Sequence, residues 1–202
     1  MGRLTALAFV RRIGNSDTLI APVERAFLGP TRPWVCGRAV GDVLEIAAGT
    51  GSNLAYYPTD VHLTLTELRP TSLELAERKA EILDIPATFA VADAMSLPFD
   101  DASFDSVVCT YALCGVPDER GALVEMLRVL RPGGRLLLAD HVEASAGWVR
   151  VLQRALEAIT SRTNGEYWTR RPRIALEVMG VEIVATTRTH LGVLERVYAR
   201  KA

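Results

Sequence analysis

Short apolar runs alternate with longer polar or amphipathic segments along most of the chain. The apolar runs predict β-strands over residues 43–46, 61–66, 87–92, 135–140, 181–187 and 192–198. A helix is predicted over residues 147–162, where one face carries Val149, Leu152, Leu156 and Ile159. Because strands and helices alternate, the pattern is typical of a doubly wound α/β domain.

The first predicted strand, residues 43–46, ends in a turn that contains two glycines, and we expect a helix to open at about Thr50. Gly49 and Gly51 have no Cβ atom, so each can adopt positive φ and let a ligand lie against the backbone. The N–H groups and positive dipole end of the helix would suit a carboxylate. The dinucleotide fingerprint needs a third glycine where this chain has Leu54, so the turn favours another ligand.

Acidic residues follow the next two predicted strands: Glu67 comes after residues 61–66 and Asp93 after residues 87–92. The carboxyl ends of parallel strands line the ligand crevice of an open sheet. We therefore expect Glu67 to accept from ribose hydroxyls and Asp93 from the exocyclic amine of adenine, with Met95 or Leu97 packed on the ring. The alternatives are a solvated Glu67 and an Asx turn or cap at Asp93.

Glu45 lies inside the first predicted strand, where burial of an unpartnered carboxylate is costly. We expect its carboxylate to accept hydrogen bonds from N–H groups of the glycine turn. That would make Glu45 a support of the turn.

Composition limits the function classes. The 202 residues suffice for one domain with a full core, and a net charge of -1 gives no general attraction for nucleic acid. Cys36, Cys109 and Cys114 lack the spacing of a zinc site or a disulfide framework, so we expect no metal and a reducing, cytoplasmic compartment. Residues 4–12 are too short for a transmembrane anchor, so we expect a lid helix there, with peripheral membrane contact as the alternative.

Three motifs occur in order over about residues 42–141: residues 44–51 (LEIAAGTG), residues 93–105 (DAMSLPFDDASFD) and residues 125–134 (EMLRVLRPGG). In this order and spacing they resemble the class I methyltransferases of the ubiquinone and menaquinone C-methyltransferase type. A narrower resemblance, to the methyltransferase-like branch that includes alkyl-thiol S-methyltransferases, is seen at residues 53–58, 109–114 and 140–142. Ala47 and Ala48 depart from the Gly-Cys pair that is common in this loop.

The resemblance implies a Rossmann-like, doubly wound seven-stranded sheet whose last strand is antiparallel. It also implies S-adenosyl-L-methionine as cofactor, S-adenosyl-L-homocysteine as its product, and a small or lipophilic acceptor. The predicted cofactor-binding residues are Glu45, Ala47, Gly49, Gly51, Asn53, Glu67, Leu68, Asp93, Ala94, Met95, Cys109 and Thr110. We expect one domain over residues 1–202, in which residues 1–40 form an N-terminal helical lid, 41–141 the cofactor-binding core, and 142–202 the acceptor-side helices and closing strands.

Methyl transfer from a sulfonium is an in-line displacement, so a base is needed only when the acceptor must lose a proton. His141 is the candidate base, because it follows a strand end and histidine titrates near neutrality. Asp140 is predicted to orient His141 or to face the acceptor, and Tyr111 to hydrogen-bond it. The alternatives are a His141 bonded to a loop carbonyl and a Tyr111 packed in the core.

Residues after the amphipathic helix leave two interpretations open. Residues 164 and 166–168 form either a cap over the acceptor pocket or a plain surface turn. Arginines 170, 171 and 173 either attract an anionic acceptor or belong to a solvated face.

Two other functions fit the same pattern. A nicotinamide-dependent oxidoreductase shares the α/β plan, although Leu54 and the short interval from Gly51 to Glu67 argue against it. A non-catalytic protein that binds S-adenosylmethionine would keep the pocket and serve as a regulatory or scaffold partner. Thiols, amines, phenols and quinones are all candidate acceptors, and the sequence leaves the acceptor atom and the oligomeric state open.

Overall fold

The computed structural model describes residues 30–163 and 165–202. Within them the strands are β1 (Asp42–Ile46), β2 (His62–Glu67), β3 (Ala87–Val91), β4 (Phe104–Thr110), β5 (Leu130–His141), β6 (Glu182–Thr189) and β7 (Leu194–Arg200). The helices are α1 (Thr31–Cys36), α2 (Pro70–Leu83), α3 (Glu119–Val129), α4 (Gly147–Thr163) and α5 (Pro172–Val178), with short 3₁₀ helices at Leu54–Tyr56 and His190–Gly192.

The strands form one seven-stranded sheet in the order β3-β2-β1-β4-β5-β7-β6. β1 to β5 pair in parallel, whereas β7 is antiparallel to both of its neighbours. The predicted doubly wound sheet with an antiparallel last strand is confirmed. The order reverses between β1 and β4, and an open α/β sheet has its ligand crevice outside the carboxyl ends of the strands at such a point.

Helices cover both faces of the sheet, because the strands carry apolar side chains on both sides. Val35 of α1 and Ala76 of α2 pack in one buried cluster. Met126 of α3 and Leu176 of α5 pack in a second cluster. The ends of the central strands are therefore held between two apolar layers.

The predicted helix at Thr50 is wrong, because residues 49–53 form turns and only Leu54–Tyr56 make one turn of 3₁₀ helix. The side chain of Asn53 is drawn into the core, where it is 1% exposed. Tyr57 is extended, with φ −74° and ψ 148°, as is usual before a proline such as Pro58. The glycine turn therefore has no α-helix dipole behind it.

Most of the predicted lid over residues 1–40 lies outside the described residues. The part that is described contains α1, whose Val35 and Cys36 are fully buried against the sheet. None of the helices that the structure describes combines the length and the apolar composition needed to traverse a bilayer.

Candidate functional site

Two non-glycine residues adopt left-handed backbone conformations directly after the neighbouring strands β1 and β4. Ala47 has φ 54° and Tyr111 has φ 55°. Such conformations cost on the order of 1–3 kcal/mol and cluster at ligand sites, where the surrounding structure imposes them. Here they turn the chain sharply away at the two strand ends that flank the crevice.

The two glycines of the turn after β1 have different roles. Both adopt positive φ, 56° at Gly49 and 72° at Gly51, as expected. A Cβ atom on Gly51 would lie 2.7 Å from the Leu54 side chain and 3.1 Å from Ala76 of α2, whereas one on Gly49 would meet nothing within 4 Å. Gly51 therefore serves close packing, and the backbone of Gly49 faces open space where a ligand can approach.

Glu67, at the end of β2, reaches the glycine turn. Its Oε2 accepts a hydrogen bond from the N–H of Gly49 at 3.0 Å, and its Oε1 accepts from the N–H of Arg69 at 3.1 Å. The residue is only 6% exposed, so the prediction of a solvated side chain is wrong. Each oxygen still has a second lone pair for a ligand hydroxyl.

The expectation that Glu45 accepts hydrogen bonds from N–H groups of the glycine turn is wrong, because the N–H of Gly49 donates to Glu67 instead. Glu45 is 1% exposed, and its carboxylate accepts from Asn53 Nδ2 at 2.9 Å and from the Tyr57 hydroxyl at 2.8 Å. Burial raises the pKa of Glu45 to about 7, while these two hydrogen bonds act in the opposite direction. Glu45 thus anchors the turn through side chains.

Asn53 joins three elements beneath the turn. Its Nδ2 also donates to Thr110 Oγ1 at the end of β4 at 2.9 Å, and its Oδ1 accepts from Arg32 of α1 at 2.6 Å. Both Asn53 and Thr110 are buried. A polar network therefore links α1, β1 and β4 directly under the crevice.

Asp93 forms the Asx turn that we considered as the alternative. Its Oδ1 accepts from the N–H of Met95 at 2.8 Å, and Ala92 N–H donates to the carbonyl of Glu67 at 3.2 Å. This places Asp93 next to the end of β2 with Oδ2 available. The Asx turn and a contact with a ligand are thus compatible.

The remaining predicted cofactor residues differ in exposure. Cys109 is 2% exposed in β4, opposite Ile46 of β1, and can offer a ligand only its backbone. Ala94 and Met95 are partly buried against the core, whereas Leu68 is 62% exposed at the rim.

The acceptor side of the crevice is built on the end of β5. Asp140 is 3% exposed, and its carboxylate accepts from the N–H groups of His141 at 2.7 Å and Cys114 at 3.2 Å. Burial raises the pKa of the Asp140 carboxyl. The His141 ring is 30% exposed, and its Nδ1 lies 4.0 Å from Asp140 Oδ1.

Three rings from distant parts of the chain meet at this side. The His141 ring lies 5.5 Å from the ring of Tyr111 and 5.4 Å from that of Trp168, measured between centroids. Burial raises the pKa of Tyr111 to about 12, so its hydroxyl stays protonated at neutral pH. Of the proposed capping residues, Trp168 reaches the site, and residue 164 lies outside the described residues.

Two of the three arginines after α4, Arg170 and Arg173, bind protein groups, and among the described residues no such partner is seen for Arg171, whose Nε atom is buried without a hydrogen bond. Arg170 donates to the carbonyl oxygens of Leu113, Val116 and Pro117, which follow β4. Arg173 pairs with Glu177 and with the buried Glu195. The expectation that Arg170 and Arg173 form a solvated face or attract an anion is therefore wrong.

The three thiols are poor nucleophiles, because burial raises the pKa of Cys36, Cys109 and Cys114. Potential ligand atoms of Cys114, Asp140 and His141 lie within 4.8 Å of one another. Hydrogen bonds from backbone N–H groups to Asp140 already account for the position of its carboxylate.

Two residues at the site were not predicted from the sequence. Arg32 bonds Asn53 and also lies with its Cζ 5.5 Å from the ring centroid of Tyr111, so it bridges the two sides of the crevice. Tyr57 was noted only as part of a family motif, yet it holds Glu45. Because Glu45 was expected to be buried on β1, a nearby hydrogen-bond donor could be inferred from the sequence. The sequence did not show that this donor is Tyr57.

Comparison with known proteins agrees with this geometry. The chain is 34% identical over 150 residues to a demethylmenaquinone methyltransferase of Renibacterium salmoninarum, an alignment that covers 68% of this chain and 62% of that protein. It is 36% identical over 119 residues to a thiol S-methyltransferase of Rattus norvegicus, covering 55% and 49%. The chain thus spans less than two thirds of the length of either relative.

Among solved structures, a SAM-dependent methyltransferase from Methanosarcina mazei superposes with a TM-score of 0.63 at 25% identity, covering 79% of this chain and 92% of that one. A family model described as a methyltransferase domain matches residues 44–138, which run from β1 into β5 and contain both strand ends that flank the crevice. The resemblance predicted from the sequence motifs is confirmed, and residues 44–138 belong to the methyltransferase domain family, on the class I fold.

Proposed function

We propose that the protein is an S-adenosylmethionine-dependent methyltransferase that acts on a small-molecule acceptor, such as a quinone-like compound, thiol, amine or phenol. The observation that carries the proposal is the junction of Gly49 and Glu67 at the point where the strand order reverses. The open space beside the Gly49 backbone, next to the Glu67 carboxylate, is suited to binding a ribose. Because residues 44–138 belong to the methyltransferase domain family, we assign this ribose to S-adenosylmethionine.

The residues present fit this cofactor. Glu67 would hold the ribose hydroxyls, and Asp93 with Met95 would hold the adenine. Ala47, Gly49 and the neighbouring buried network would shape the methionyl end. When bound, the cofactor supplies an electrophilic methyl group.

The chain's own contribution at the acceptor end is to position the acceptor and to exclude water. The rings of Tyr111, His141 and Trp168 form an apolar wall with polar atoms at its edge. His141 would take the proton of an acceptor such as a thiol, which must be deprotonated before it is a good nucleophile. Asp140 fixes the backbone of His141, and Tyr111 donates a hydrogen bond to the acceptor.

We assign residues 41–141 to cofactor binding, residues 142–202 to the acceptor side, and residues 1–40 to a lid. The cytoplasm is the proposed compartment, because Cys36, Cys109 and Cys114 are free thiols.

The position of Leu54 weighs against a nicotinamide-dependent oxidoreductase. Leu54 is 1% exposed and fills the space where the dinucleotide fingerprint requires a glycine for close packing. A non-catalytic cofactor-binding partner would bind S-adenosylmethionine and transfer no methyl group.

Calorimetry with S-adenosylmethionine, S-adenosylhomocysteine and NADH, followed by a screen of labelled methyl transfer, separates these functions. We expect binding of the first two ligands, no binding of NADH, and label in at least one acceptor from a panel of alkyl thiols, amines, phenols and quinones. Binding of NADH alone would support the oxidoreductase. Tight binding of S-adenosylmethionine without label in any acceptor would support the non-catalytic partner.

A further inference from the structure

α4 turns its apolar side to solvent, which is the reverse of an ordinary surface helix. The exposed fractions on this side are 70% for Trp148, 70% for Val151, 64% for Leu152, 43% for Leu156 and 63% for Ile159. Their spacing of three and four residues places them on one stripe along the helix. The apolar face predicted over residues 147–162 therefore exists, but most of it packs against nothing in the described part of the molecule.

The inner side of α4 is polar and held by hydrogen bonds. Gln153, 7% exposed, donates to the carbonyls of Val142 and Trp168 and accepts from the N–H of Ala144 at 2.7 Å. The Glu157 carboxylate accepts from the N–H and the hydroxyl of Thr169 at 2.7 and 3.0 Å.

These bonds fix the rotation of the helix about its axis. Turning the apolar stripe towards the sheet would bury the leucines but would leave buried backbone groups beside β5 and Trp168 without partners, which is costly. The outward stripe is thus a stable feature of the fold and needs another explanation.

A further apolar side chain continues this surface. Leu191, between β6 and β7, is 60% exposed, and its carbonyl accepts from the N–H of Ser145 at 2.9 Å, just before α4. We call Trp148, Val151, Leu152, Leu156, Ile159 and Leu191 the α4 surface. Contiguous exposed apolar surfaces of this kind mark interaction sites.

The charges on α4 indicate which partner it fits. The helix carries Arg150, Arg154 and Arg162 and a single acid, Glu157, whose carboxylate points inward. The helix is therefore basic, although the whole chain has a net charge of -1. An apolar stripe with tryptophan at one end, flanked by arginines, is the composition of helices that lie in the headgroup region of a membrane.

We propose that the α4 surface docks onto a membrane of anionic phospholipids. Its apolar side chains enter the boundary between headgroups and acyl chains. Arg154 pairs with Glu143 at 2.9 Å, so the lipid phosphates are left to Arg150 and Arg162, which have no acidic partner among the described residues. With 17 residues the helix is about 25 Å long, which suits a position in the plane of the membrane. This proposal is independent of the proposed function. If that function holds, the acceptor end lies directly behind α4 as seen from the bilayer, because Trp168 contacts both the inner side of α4 and His141.

Vesicle flotation of the full chain, with no cofactor or acceptor added, tests this proposal. We expect binding to vesicles of phosphatidylcholine with phosphatidylglycerol, weaker binding to phosphatidylcholine alone, and loss of binding as salt rises. The double variant Leu152→Ser and Ile159→Ser should lower the partition coefficient at least about tenfold. Val178→Ser, at an 81% exposed apolar residue of α5, is the matched control and should change nothing.

Fluorescence identifies the surface that makes contact. Trp148 emission should shift to the blue on adding anionic vesicles, and Trp148→Phe should abolish the shift. Circular dichroism checks that each variant is folded. Absence of vesicle binding, or equal binding by the double variant, would overturn the proposal.

Two other occupants of the α4 surface would also overturn it. A dimer in sedimentation that the double variant dissociates would indicate a second copy of the chain. Failure of acrylamide to quench Trp148 in buffer would indicate that residues 1–29 already cover the surface.

Discussion

The cofactor end and the acceptor end of the crevice are built from different chemistry. At the cofactor end, buried polar side chains bond each other and the glycine turn, as Glu45 does with Asn53 and Glu67 with Gly49. At the acceptor end, the tilted rings of Tyr111 and Trp168 contact the ring of His141, which is 30% exposed.

This difference predicts how each end responds to mutation. Bonds at the cofactor end are part of the core, so losing one should lower both the stability of the fold and its affinity for a ligand. Side chains at the acceptor end carry little of the core, so losing one should change turnover with little change in stability. The following variants test that contrast.

Asn53→Leu should have the largest effect on stability. It removes the donor to Glu45 Oε1 and Thr110 and one acceptor of Arg32, so two buried oxygen atoms each lose a hydrogen bond. We expect the free energy of unfolding to fall by about 3–4 kcal/mol in urea titrations at pH 7.5. Ser52→Ala is the neighbouring control, with an expected change below about 0.5 kcal/mol. A loss below about 1 kcal/mol in Asn53→Leu would show that the hydrogen bonds of Asn53 contribute little to the stability of the fold.

Glu45→Gln should change the pH dependence of stability. Because burial raises the pKa of Glu45 from 4.5 to about 7, the folded protein binds this proton more tightly than the unfolded chain does. The resulting stabilisation is complete below about pH 4.5 and is lost as the pH rises to about 7. Relative to Glu45→Gln, the wild type should therefore lose up to about 3 kcal/mol across this interval.

Unfolding in urea at several pH values measures this effect. The charged and titratable groups around Glu45 are Tyr57, Cys36, Cys109, Arg32 and Lys79. Burial raises the pKa of Tyr57, of Cys36 and of Cys109, so none of the three titrates in this interval. Glu74→Gln, at an exposed glutamate of α2, is the control. Parallel pH profiles of Glu45→Gln and the wild type would show that Glu45 ionises normally.

His141→Ala should lower kcat by about 100-fold for an acceptor that must lose a proton. Its ring is partly exposed, so we expect the free energy of unfolding to change by less than about 1 kcal/mol. The dissociation constant of S-adenosylmethionine should stay within about twofold of the wild type. His62→Ala, whose side chain is 86% exposed, serves as control. Unchanged turnover in His141→Ala would show that His141 has a structural role alone.

Asp93→Ala should have the smallest effect, because Asp93 is only partly buried and lies outside the network of Glu45 and Asn53. We expect the affinity for S-adenosylmethionine to fall about tenfold, equal to about 1.4 kcal/mol, because one acceptor for the adenine amine is lost. Isothermal titration calorimetry measures this change, with Asp60→Ala on an exposed turn as control. If Asp93→Ala bound S-adenosylmethionine as tightly as the wild type, Asp93 would have a role in the Asx turn alone.

Prediction from the sequence succeeded where a feature depends on neighbours in the chain. Six of the seven strands, the positive φ of Gly49 and Gly51, and the acidic residues at the ends of β2 and β3 were predicted, whereas no range was given for β4. Prediction failed where two side chains compete for the same hydrogen-bond donor. The N–H of Gly49 had two candidate acceptors, and only the folded geometry selects Glu67 over Glu45.

α2 and α4 show the same limit for helices. Both are amphipathic, but α2 buries Leu73 and Leu83, whereas α4 buries Gln153 and exposes Leu152. Periodicity identifies an apolar stripe and does not say what the stripe faces. The rotation of α4 about its axis depends on hydrogen bonds that Gln153 and Glu157 accept from backbone N–H groups of other segments.

The sequence by itself determined the alternation of strands and helices, the glycine turn and the methyltransferase motifs, because these depend on local spacing and backbone preference. Only the tertiary structure brought Tyr111, His141 and Trp168 into one wall, placed Arg32 over the crevice and turned α4 outward. These contacts join residues that are far apart in the chain. They therefore follow from how the sheet, its crossovers and its loops pack together.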